Sequence, residues 1–251
     1  MSQQRHQYDP QFYRYINRGA LDSAAVVLPL LDNYFSTASV LDVGCGAGAW
    51  LSVWKERGAE VLGLDGDYVD RSGLLINEAE FSATDLSCEF DLQRQFDLVQ
   101  CLEVAEHLPE TASRSFVASL CGHADVVLFS AAPPGQGGEH HINEQPYAYW
   151  RDRFEEQGFQ MYDVLRGALS GQDSVMPWYR YNSFLYVRKN RLPSLHEKLR
   201  ETAVAISAVP TDISPQFYQW RKRLVALLPV SAMTALATLK KHLLPRLPGT
   251  R

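Results

Sequence analysis

The chain has 251 residues, of which 46% are hydrophobic and 21% charged, a composition typical of a soluble globular protein with a sizeable core. Its net charge of −5 gives no general attraction to nucleic acid. The charge is unevenly distributed, because residues 195–251 carry nine Lys/Arg against three Asp/Glu, while residues 1–194 carry 15 against 26. The chain therefore consists of an acidic body and a basic tail.

The cysteines and the apolar runs bear on the cellular compartment. The four cysteines lack CxxC spacing, and Cys45 and Cys101 stand in apolar contexts, which favours buried free thiols over disulfides or zinc. Residues 1–11 contain no apolar signal core. The uncharged run 224–239 is shorter than the ~20 residues of a membrane span, and Pro229 interrupts it. These features predict a reducing, cytoplasmic compartment.

Short apolar segments alternate with helix-length ones along most of the chain. They predict seven strands, at 39–44, 59–65, 79–85, 96–102, 124–131, 159–166 and 181–189. Helices are predicted at 49–58, which Gly58 ends, and at 143–157. Strands that are apolar throughout imply a parallel sheet covered on both faces, so the predicted fold is α/β and doubly wound. No clear helix separates the last two strands, which predicts an antiparallel hairpin at the sheet edge.

Three regions differ in character. Residues 1–34 are predicted to form a helical cap segment, residues 35–190 the α/β domain and residues 191–251 a basic helical extension. Within the extension, helix is predicted over 194–209 and 216–244. Prolines break this helical region at Pro210, Pro215 and Pro229.

A glycine-rich turn follows the first predicted strand. The segment "VLDVGCGAGAWL" leaves the strand through Gly44, Gly46 and Gly48 and then opens a helix. Glycines are needed there because the chain turns sharply and its backbone approaches a ligand without intervening Cβ atoms. A tight turn that binds nothing is the alternative interpretation. Acids on the first three predicted strands favour a cofactor site: Asp42, Asp65 and Asp85.

These residues resemble the class I S-adenosylmethionine-dependent methyltransferases over about residues 35–190. "LDVGCGAG" is similar to their first motif, Asp65 to their ribose-binding acid, "ATDL" (83–86) to the segment that meets the adenine, and "FDLVQCLEVAEHL" (96–108) to their fourth-strand motif. The GxGxG spacing disfavours a dinucleotide dehydrogenase, whose pattern is GxGxxG. The resemblance implies a Rossmann-like, mostly parallel seven-stranded sheet, S-adenosylmethionine as methyl donor and S-adenosylhomocysteine as product.

The resemblance also assigns roles to individual positions. The Gly44–Gly48 backbone would pack on the methionyl part, Asp65 would accept the ribose hydroxyls with Asp67 as a second candidate, and Asp85 would accept from the adenine amine. The residues expected at the cofactor are Asp42, Gly44, Cys45, Gly46, Gly48, Asp65, Gly66, Asp85, Leu86, Cys101 and Leu102.

The segment "EVAEHLP" at 103–109 follows the fourth predicted strand, where the carboxyl edge of the sheet forms the pocket. If it forms a helical turn, Glu103, Glu106 and His107 share one face. A structural role for these charges is the alternative. The Gly/Pro loop after the fifth strand adds His140 and His141, and it is expected to run into a helix with Asn143 as N-cap and Pro146 in the first turn.

An ExxEH pattern with a later histidine resembles the metal site of the small-RNA 2′-O-methyltransferases and the ubiquinone-pathway O-methyltransferases. The resemblance implies Mg²⁺ or another divalent ion that gathers vicinal hydroxyls and lowers their pKa. The metal-free alternative uses a histidine as general base. The metal set is Glu103, Glu106, His107 and His141, and the catalytic candidates are His141, His140, His107 and Glu103.

Aromatic segments suggest where an acceptor binds. Tyr13 stands on a probable helix before the first strand, and a loop between the last strands carries Trp178, Tyr179 and Arg180. These side chains are expected either to contact the acceptor or to pack against the sheet.

The basic tail is expected to pack on the domain, to form a homo-oligomer or to contact an anionic membrane surface. No nucleic-acid module is recognisable. The leading function is O-methylation of a small-molecule hydroxyl acceptor, such as a sugar, a glycolipid precursor or another secondary metabolite. The alternatives are a metal-free O- or N-methyltransferase and a cofactor-binding subunit without catalysis.

Overall fold

The computed structural model describes residues 10–194 and 197–243 and is built around one sheet. Its strands are β1 (Ser39–Val43), β2 (Glu60–Asp65), β3 (Phe81–Ala83), β4 (Leu98–Leu102), β5 (Val126–Ser130), β6 (Phe159–Tyr162) and β7 (Phe184–Arg188). Their order is β3-β2-β1-β4-β5-β7-β6. β1 to β5 pair in parallel, whereas β7 runs antiparallel to both β5 and β6. The mostly parallel, doubly wound sheet with antiparallel edge strands is therefore confirmed. The two edge strands do not form a simple hairpin, because short helices at Arg166–Leu169 and Pro177–Asn182 separate them.

The strand order reverses between β1 and β4. The two strands pair with Val40 opposite Leu98 and Asp42 opposite Gln100. In a doubly wound sheet, such a reversal opens a crevice at the carboxyl ends of the strands on either side of it. The segments that leave β1 and β4 are the glycine-rich turn and the segment that begins at Glu103, so both border this crevice.

Helices cover both faces of the sheet, which is why β4 is buried along its whole length. Leu28 of the first helix and Trp54 of the second pack on one face, while Phe116 and Phe154 pack on the other. None of the helices in the described ranges combines enough length with enough hydropathy to span a bilayer. The helices are α1 (Pro10–Leu31), α2 (Ala49–Glu56), α3 (Ser113–His123), α4 (Tyr147–Glu156), α5 (Arg166–Leu169), α6 (Pro177–Asn182), α7 (Glu197–Arg200), α8 (Gln216–Val225) and α9 (Val230–Leu243).

The helix predicted from residue 143 begins later, at Tyr147, and Pro146 precedes its first turn. The predicted N-cap was therefore wrong. The Asn143 side chain instead donates to the carbonyl of Ala105 and to the Ser113 hydroxyl, at 3.4 and 3.2 Å. Asn143 is buried, so its amide holds the loop onto the segment after β4 instead of capping α4.

The prediction of a helix over 194–209 was also wrong. Among the described residues of this segment, only those of α7 are α-helical. The chain then turns and runs beside the edge strand β6, where the amide of Val204 donates to Met161 and that of Asp163 donates to Thr202. An edge strand presents unpaired backbone groups, and pairing with them stabilises an extended chain over a helix. The second predicted helix is present but is divided at Pro229 into α8 and α9.

Candidate active site

The glycine-rich turn has the backbone that a ligand cradle requires. Gly44, Gly46 and Gly48 all have positive φ, at 86°, 54° and 79°. A Cβ at Gly44 would stand 2.2 Å from Val104, whereas a Cβ at Gly46 would meet no atom within 4 Å. The turn thus presses against the chain after β4 on one side and faces open space at Gly46, which fits the approach of a cofactor.

Cys45 contributes its backbone to this turn, and its side chain points away from the open side. A Cβ at Gly63 of β2 would be 2.5 Å from the Cys45 Sγ, so the thiol packs between the turn and the sheet. Burial raises the pKa of this thiol well above its ordinary value, and the nearby Asp42 adds to the rise. Cys45 is therefore a neutral, packed thiol.

Asp65 holds the turn through its carboxylate. One oxygen accepts from the amide of Gly46 at 2.7 Å, and the other accepts from the amide of Gly66 at 2.7 Å and from the Tyr68 hydroxyl at 2.5 Å. The Tyr68 side chain is exposed to solvent. A ribose hydroxyl would donate to the Asp65 carboxylate in the same way as the Tyr68 hydroxyl does. Asp67, the second candidate, instead pairs with Arg71 in solvent.

Asp42 is almost completely buried in β1. Removal from water raises the pKa of its carboxyl to about 7, the amide of Gln100 opposes that rise, and the nearby Asp65 adds to it. A buried carboxyl beside a second acid is costly to ionise. A cationic group near the turn, such as the sulfonium of S-adenosylmethionine, would favour its ionised form.

The adenine-side residues lie beyond the end of β3, which stops at Ala83. The Asp85 carboxylate accepts from the amide and hydroxyl of Ser87 at 3.0 and 2.6 Å, and these hydrogen bonds hold its pKa below the usual range. Asp85 is exposed and Leu86 is buried. Cys101 and Leu102, at the end of β4, are both buried. Contact of these four residues with a cofactor stays a prediction.

Glu103 adopts a strained backbone at the end of β4, with φ at 58°. Its carboxylate accepts from the side-chain amides of Gln136 at 2.5 Å and Asn182 at 3.2 Å. Burial raises the pKa of this carboxyl, and the two hydrogen bonds partly oppose the rise. Left-handed conformations of non-glycine residues are costly and concentrate at functional sites, which supports a role for Glu103 in the pocket.

Glu106, His107 and His141 come together as a group. Each offers a ligand atom, and these atoms all lie within 4.8 Å of one another. The rings of His107 and His141 meet edge to face, with centroids 4.8 Å apart. Glu106 and His107 belong to a 3₁₀ turn over Ala105–His107, whereas Glu103 precedes that turn and is not in the group.

The Glu106 carboxylate is the most unusual member of this group. It is fully buried, and neither of its oxygens has a hydrogen-bond partner. Burial raises its pKa well above the ordinary value, and the charge of Glu103 raises it further. The backbone amides of Glu106 and Ala132 lie close enough to oppose part of the rise, but neither makes a well-formed hydrogen bond to the carboxylate. A buried carboxylate in this state is unfavourable unless a cation or a ligand completes its surroundings.

His107 contributes a neutral ring. Although part of the side chain is exposed, the surrounding atoms desolvate the imidazole and His141 adds like-charge repulsion, so that the pKa of His107 falls to about 4. A neutral imidazole retains the lone pair that a metal ion or a proton needs. His140 is exposed, and its backbone φ of 57° turns the loop toward His141.

His141 is oriented by an acid that the sequence patterns do not single out. Its Nδ1 lies 2.8 Å from Glu144, whose two oxygens also accept from the amides of Gly135 and Gly137 at 2.7 Å. This pairing leaves Nε2 as the ring nitrogen available to a ligand, and it lies close to Gly138, where a Cβ would stand 2.1 Å from it. The one sequence signal for Glu144 is its spacing of three residues after His141.

Gln136 and Asn182 are likewise not indicated by any sequence motif. Both side chains contact Glu103, and the Asn182 amide nitrogen donates to the Gln136 amide oxygen at 2.7 Å. The Asn182 amide oxygen accepts from the Tyr147 hydroxyl at 2.9 Å. Gln136 comes from the Gly/Pro loop after β5, and Asn182 ends α6. The side chains therefore join two distant segments around one carboxylate.

The expected substrate residues of α6 have other partners. Tyr179 is buried and meets the Trp50 ring edge to face at 5.1 Å, while Trp178 packs on the same core. The buried Arg180 guanidinium donates to the carbonyl of Val175 and to Asp173. These contacts favour the packing interpretation, and acceptor contact stays a prediction. The side chain of Tyr13 lies outside the described part of the chain.

Comparison with known proteins identifies the family of the chain. A protein family described as a methyltransferase domain matches residues 13–164. The ubiquinone biosynthesis O-methyltransferase of Stutzerimonas stutzeri (strain A1501) is 35% identical over 130 residues, which cover 47% of this chain and 51% of that protein. The chain thus spans about half the length of the curated relatives it matches.

Solved structures show the same fold. Magnesium protoporphyrin IX methyltransferase from Synechocystis PCC 6803 with bound S-adenosylmethionine is 25% identical, with a TM-score of 0.50 over 72% of this chain and 85% of that one. DesVI of Streptomyces venezuelae is 17% identical, with a TM-score of 0.54 over 71% of this chain and 95% of that one, a likeness of fold alone. Because the family match covers more than half of the chain and falls on the glycine-rich turn and its acids, the chain belongs to the class I S-adenosylmethionine-dependent methyltransferase family.

Proposed function

We propose that this protein transfers the methyl group of S-adenosylmethionine to a hydroxyl oxygen of a small molecule, with a divalent metal ion held by Glu106, His107 and His141. The observation that carries the proposal is the Glu106 carboxylate, buried without a hydrogen-bond partner and within 4.8 Å of two imidazole nitrogens. One carboxylate oxygen and two imidazole nitrogens form a donor set that suits Mn²⁺, Fe²⁺ or Zn²⁺ better than Mg²⁺, which prefers oxygen ligands.

When bound, such an ion would lower the pKa of a coordinated hydroxyl and orient it toward the methyl group. The chain's own residues do the remaining work. Glu144 keeps the Nδ1 of His141 engaged, so that Nε2 is the ring nitrogen available to a ligand. Gln136 and Asn182 hold the Glu103 carboxylate at the end of β4, beside the cradle formed by the glycine-rich turn.

The transfer is an in-line displacement at carbon. The acceptor oxygen forms a bond to the methyl carbon, the carbon–sulfur bond breaks with its electron pair going to sulfur, and S-adenosylhomocysteine leaves. The hydroxyl proton passes to a base. Much of the acceleration in such a reaction comes from positioning the two reactants, because no covalent intermediate with the protein is needed.

A second mechanism deserves a test because of the pair formed by His141 and Glu144. An imidazole whose Nδ1 is held by a carboxylate at 2.8 Å is oriented to accept a proton at Nε2. In this metal-free version His141 is the general base for O- or N-methylation, and Glu106 is then left buried without a partner. That unexplained carboxylate is the reason to prefer the metal.

The acceptor class follows from the proposed ion. Adjacent oxygens, as in a sugar diol or a catechol, would chelate the metal and bring one hydroxyl toward the cofactor. The names of relatives support oxygen as the acceptor atom, since the Stutzerimonas protein is a ubiquinone biosynthesis O-methyltransferase. Sugars, glycolipid precursors and other secondary metabolites with vicinal hydroxyls are the compounds to assay.

The experiment is methyl transfer from radiolabelled S-adenosylmethionine to a panel of catechols and sugar diols, with and without EDTA. We expect transfer that EDTA abolishes and Mn²⁺ or Mg²⁺ restores, and we expect His141→Ala and Glu106→Gln to lose it. Activity that EDTA leaves unchanged while His141→Ala abolishes it would establish the metal-free base instead. Binding of S-adenosylhomocysteine without transfer to any acceptor would favour a cofactor-binding subunit.

A further inference from the structure

Exposed apolar side chains concentrate in the C-terminal extension. Of the sixteen large hydrophobic side chains exposed in the described ranges, twelve lie between residues 206 and 239. Single exposed hydrophobic residues are normal on a protein surface, but a local concentration marks a contact site. The other four are spread over the rest of the described chain.

The outward face of α8 is the centre of this concentration. Phe217, Trp220 and Leu224 recur every three or four residues and are 75%, 62% and 65% exposed, and Leu227, just past the helix, is 81% exposed. An amphipathic helix of a globular domain normally buries such a stripe. Here the apolar stripe faces solvent, and none of the residues that the structure describes covers it. We call these four residues the α8 face.

The opposite side of α8 is attached to the loop of the candidate active site. Arg221 donates to the carbonyl of Gln136 at 3.0 Å, and a Cβ at Gly135 would stand 1.9 Å from the carbonyl oxygen of Lys222. Gln136 in turn donates to Glu103. The α8 face is therefore separated from the candidate active site by about one helix diameter, roughly 10 Å.

The charge of the extension identifies the partner. Residues 216–243 contain five Lys/Arg and no Asp/Glu, whereas residues 1–194 have a net charge of −11. Lys222 is paired with Asp212 and Arg221 with the loop, so Arg223 is the exposed basic side chain of α8. The guanidinium of Arg223 lies 5.5 Å from the Trp220 ring centre, so positive charge and aromatic surface share one side of the helix. Tryptophan, phenylalanine and leucine flanked by arginine and lysine are the composition of helices that lie in the interface of anionic membranes.

A second copy of the chain fits this surface less well. In a twofold dimer the same patch would face itself, which would bring two basic segments together. Like charges placed opposite each other across an interface are unfavourable. An anionic lipid surface offers both the apolar layer and the opposite charge.

We propose that the α8 face docks on an anionic lipid bilayer and that the methyl acceptor is an amphiphile whose hydroxyl-bearing head group lies at that surface. The second part rests on the proposed function, whereas the docking itself does not. With α8 held at the interface, the loop that carries His141 lies directly behind the bound helix. The head group of an acceptor anchored in the bilayer would then extend about one helix diameter to the pocket, while its apolar part stays in the membrane.

The test is cosedimentation of the full chain with vesicles of phosphatidylcholine alone or mixed with phosphatidylglycerol. We expect pelleting with the anionic vesicles only, reduced by high salt because surface charges are screened. The double variant Trp220→Ser/Leu227→Ser should bind at least about tenfold more weakly, since it removes two of the four exposed apolar side chains of the α8 face. Leu75→Ser, which changes an exposed leucine outside the extension, should pellet like the wild type.

Binding of S-adenosylhomocysteine and the thermal unfolding midpoint, measured for every variant, separate the possible failures. Vesicle binding without cofactor binding would support the docking and contradict the proposed methyl transfer. Docking would be overturned if the wild type did not pellet with anionic vesicles, or if the double variant pelleted equally. If the wild type were a dimer, the double variant a monomer, and neither bound vesicles, the α8 face would be an interface between two copies of the chain and not a membrane contact.

Discussion

At the residue scale, Asp65 and Asp67 are expected to contribute differently to cofactor binding, although only one residue separates them. Asp65 is buried, and its oxygens accept from the amides of the glycine-rich turn and from Tyr68. The Asp67 side chain is 88% exposed and pairs with Arg71. The ribose of S-adenosylmethionine can therefore reach a preorganised acceptor at Asp65 and not at Asp67.

We expect Asp65→Asn to weaken binding of S-adenosylhomocysteine about ten- to hundredfold, because hydrogen bonds to a charged group contribute about 1.5–3 kcal/mol. Asp67→Asn is the matched control and should bind like the wild type. Isothermal titration calorimetry measures both affinities. Equal losses in the two variants would mean that the acid after β2 does not contact the ribose.

Asp42 gives a prediction about pH. Its folded pKa of about 7 is higher than its ordinary value of 3.8, mainly because it is buried. The folded state therefore holds a proton that the unfolded state releases, and the stability of the cofactor-free protein falls as pH rises from about 4 to about 7. The slope from this group is about 1.4 kcal/mol per pH unit across that window.

Asp42→Asn removes this dependence, since an amide does not ionise. Urea unfolding at pH 5 and at pH 8 should show the variant gaining stability relative to the wild type at the higher pH. The comparison of the two proteins at each pH cancels the titration of all other groups. A difference between them that does not change with pH would contradict the raised pKa of Asp42.

At this scale, sequence patterns indicate several side chains that the structure brings together, and they miss the contacts that support them. Glu106, His107 and His141 come together as the ExxEH pattern suggests. Gln136 and Asn182 meet Glu103 through the folding of two distant segments, and no local spacing encodes such a meeting. Asn143 reads as a helix cap because capping depends on local sequence, whereas its real partners are 30 and 38 residues away.

At the element scale, the contact between α8 and the loop after β5 is the feature that joins the extension to the domain. Gly135 has a φ of 83° and no room for a Cβ, because the carbonyl of Lys222 is adjacent. Gly158, at the end of α4, has a similar φ of 78° but open space around its Cβ position. Substituting each glycine therefore distinguishes the free-energy cost of backbone strain from the cost of displacing α8.

We expect Gly158→Ala to cost about 1 kcal/mol of stability, the penalty of a left-handed alanine. Gly135→Ala should add the displacement of α8 to the same penalty, for a total of about 2–3 kcal/mol. Limited proteolysis then provides a second measurement, since a displaced α8 exposes the chain before it to cleavage. Equal stability and equal cleavage in the two variants would show that α8 does not depend on this contact.

The strands were easier to predict than the extension for a physical reason. Each strand is an apolar run that is buried on both faces, so its burial can be predicted from its own sequence. Residues 202–204 include the β-branched Thr202 and Val204 but stand in a segment with a helical pattern. They pair with the exposed edge of β6 because its backbone groups need partners. Such pairing is decided by the edge of the sheet and not by the segment itself.

At the scale of the whole molecule, the reversal of strand order between β1 and β4 brings the cofactor turn and the proposed metal ligands to one crevice. The extension reaches the same crevice from the opposite end of the chain, through Arg221 and Gln136. Cofactor, metal and bilayer would thus meet around a single loop, which Glu144 fastens through two amides and one imidazole.

The ion proposed at Glu106, His107 and His141 is the central claim, and calorimetric titration of Mn²⁺ into the full chain saturated with S-adenosylhomocysteine tests it most directly. The wild type should bind one ion, and Glu106→Gln should lose that binding while keeping its affinity for S-adenosylhomocysteine. Glu106→Gln should also be at least as stable as the metal-free wild type, because it removes a buried carboxylate without partners. A wild type that binds no ion, or a Glu106→Gln protein that binds it equally well, would contradict the account.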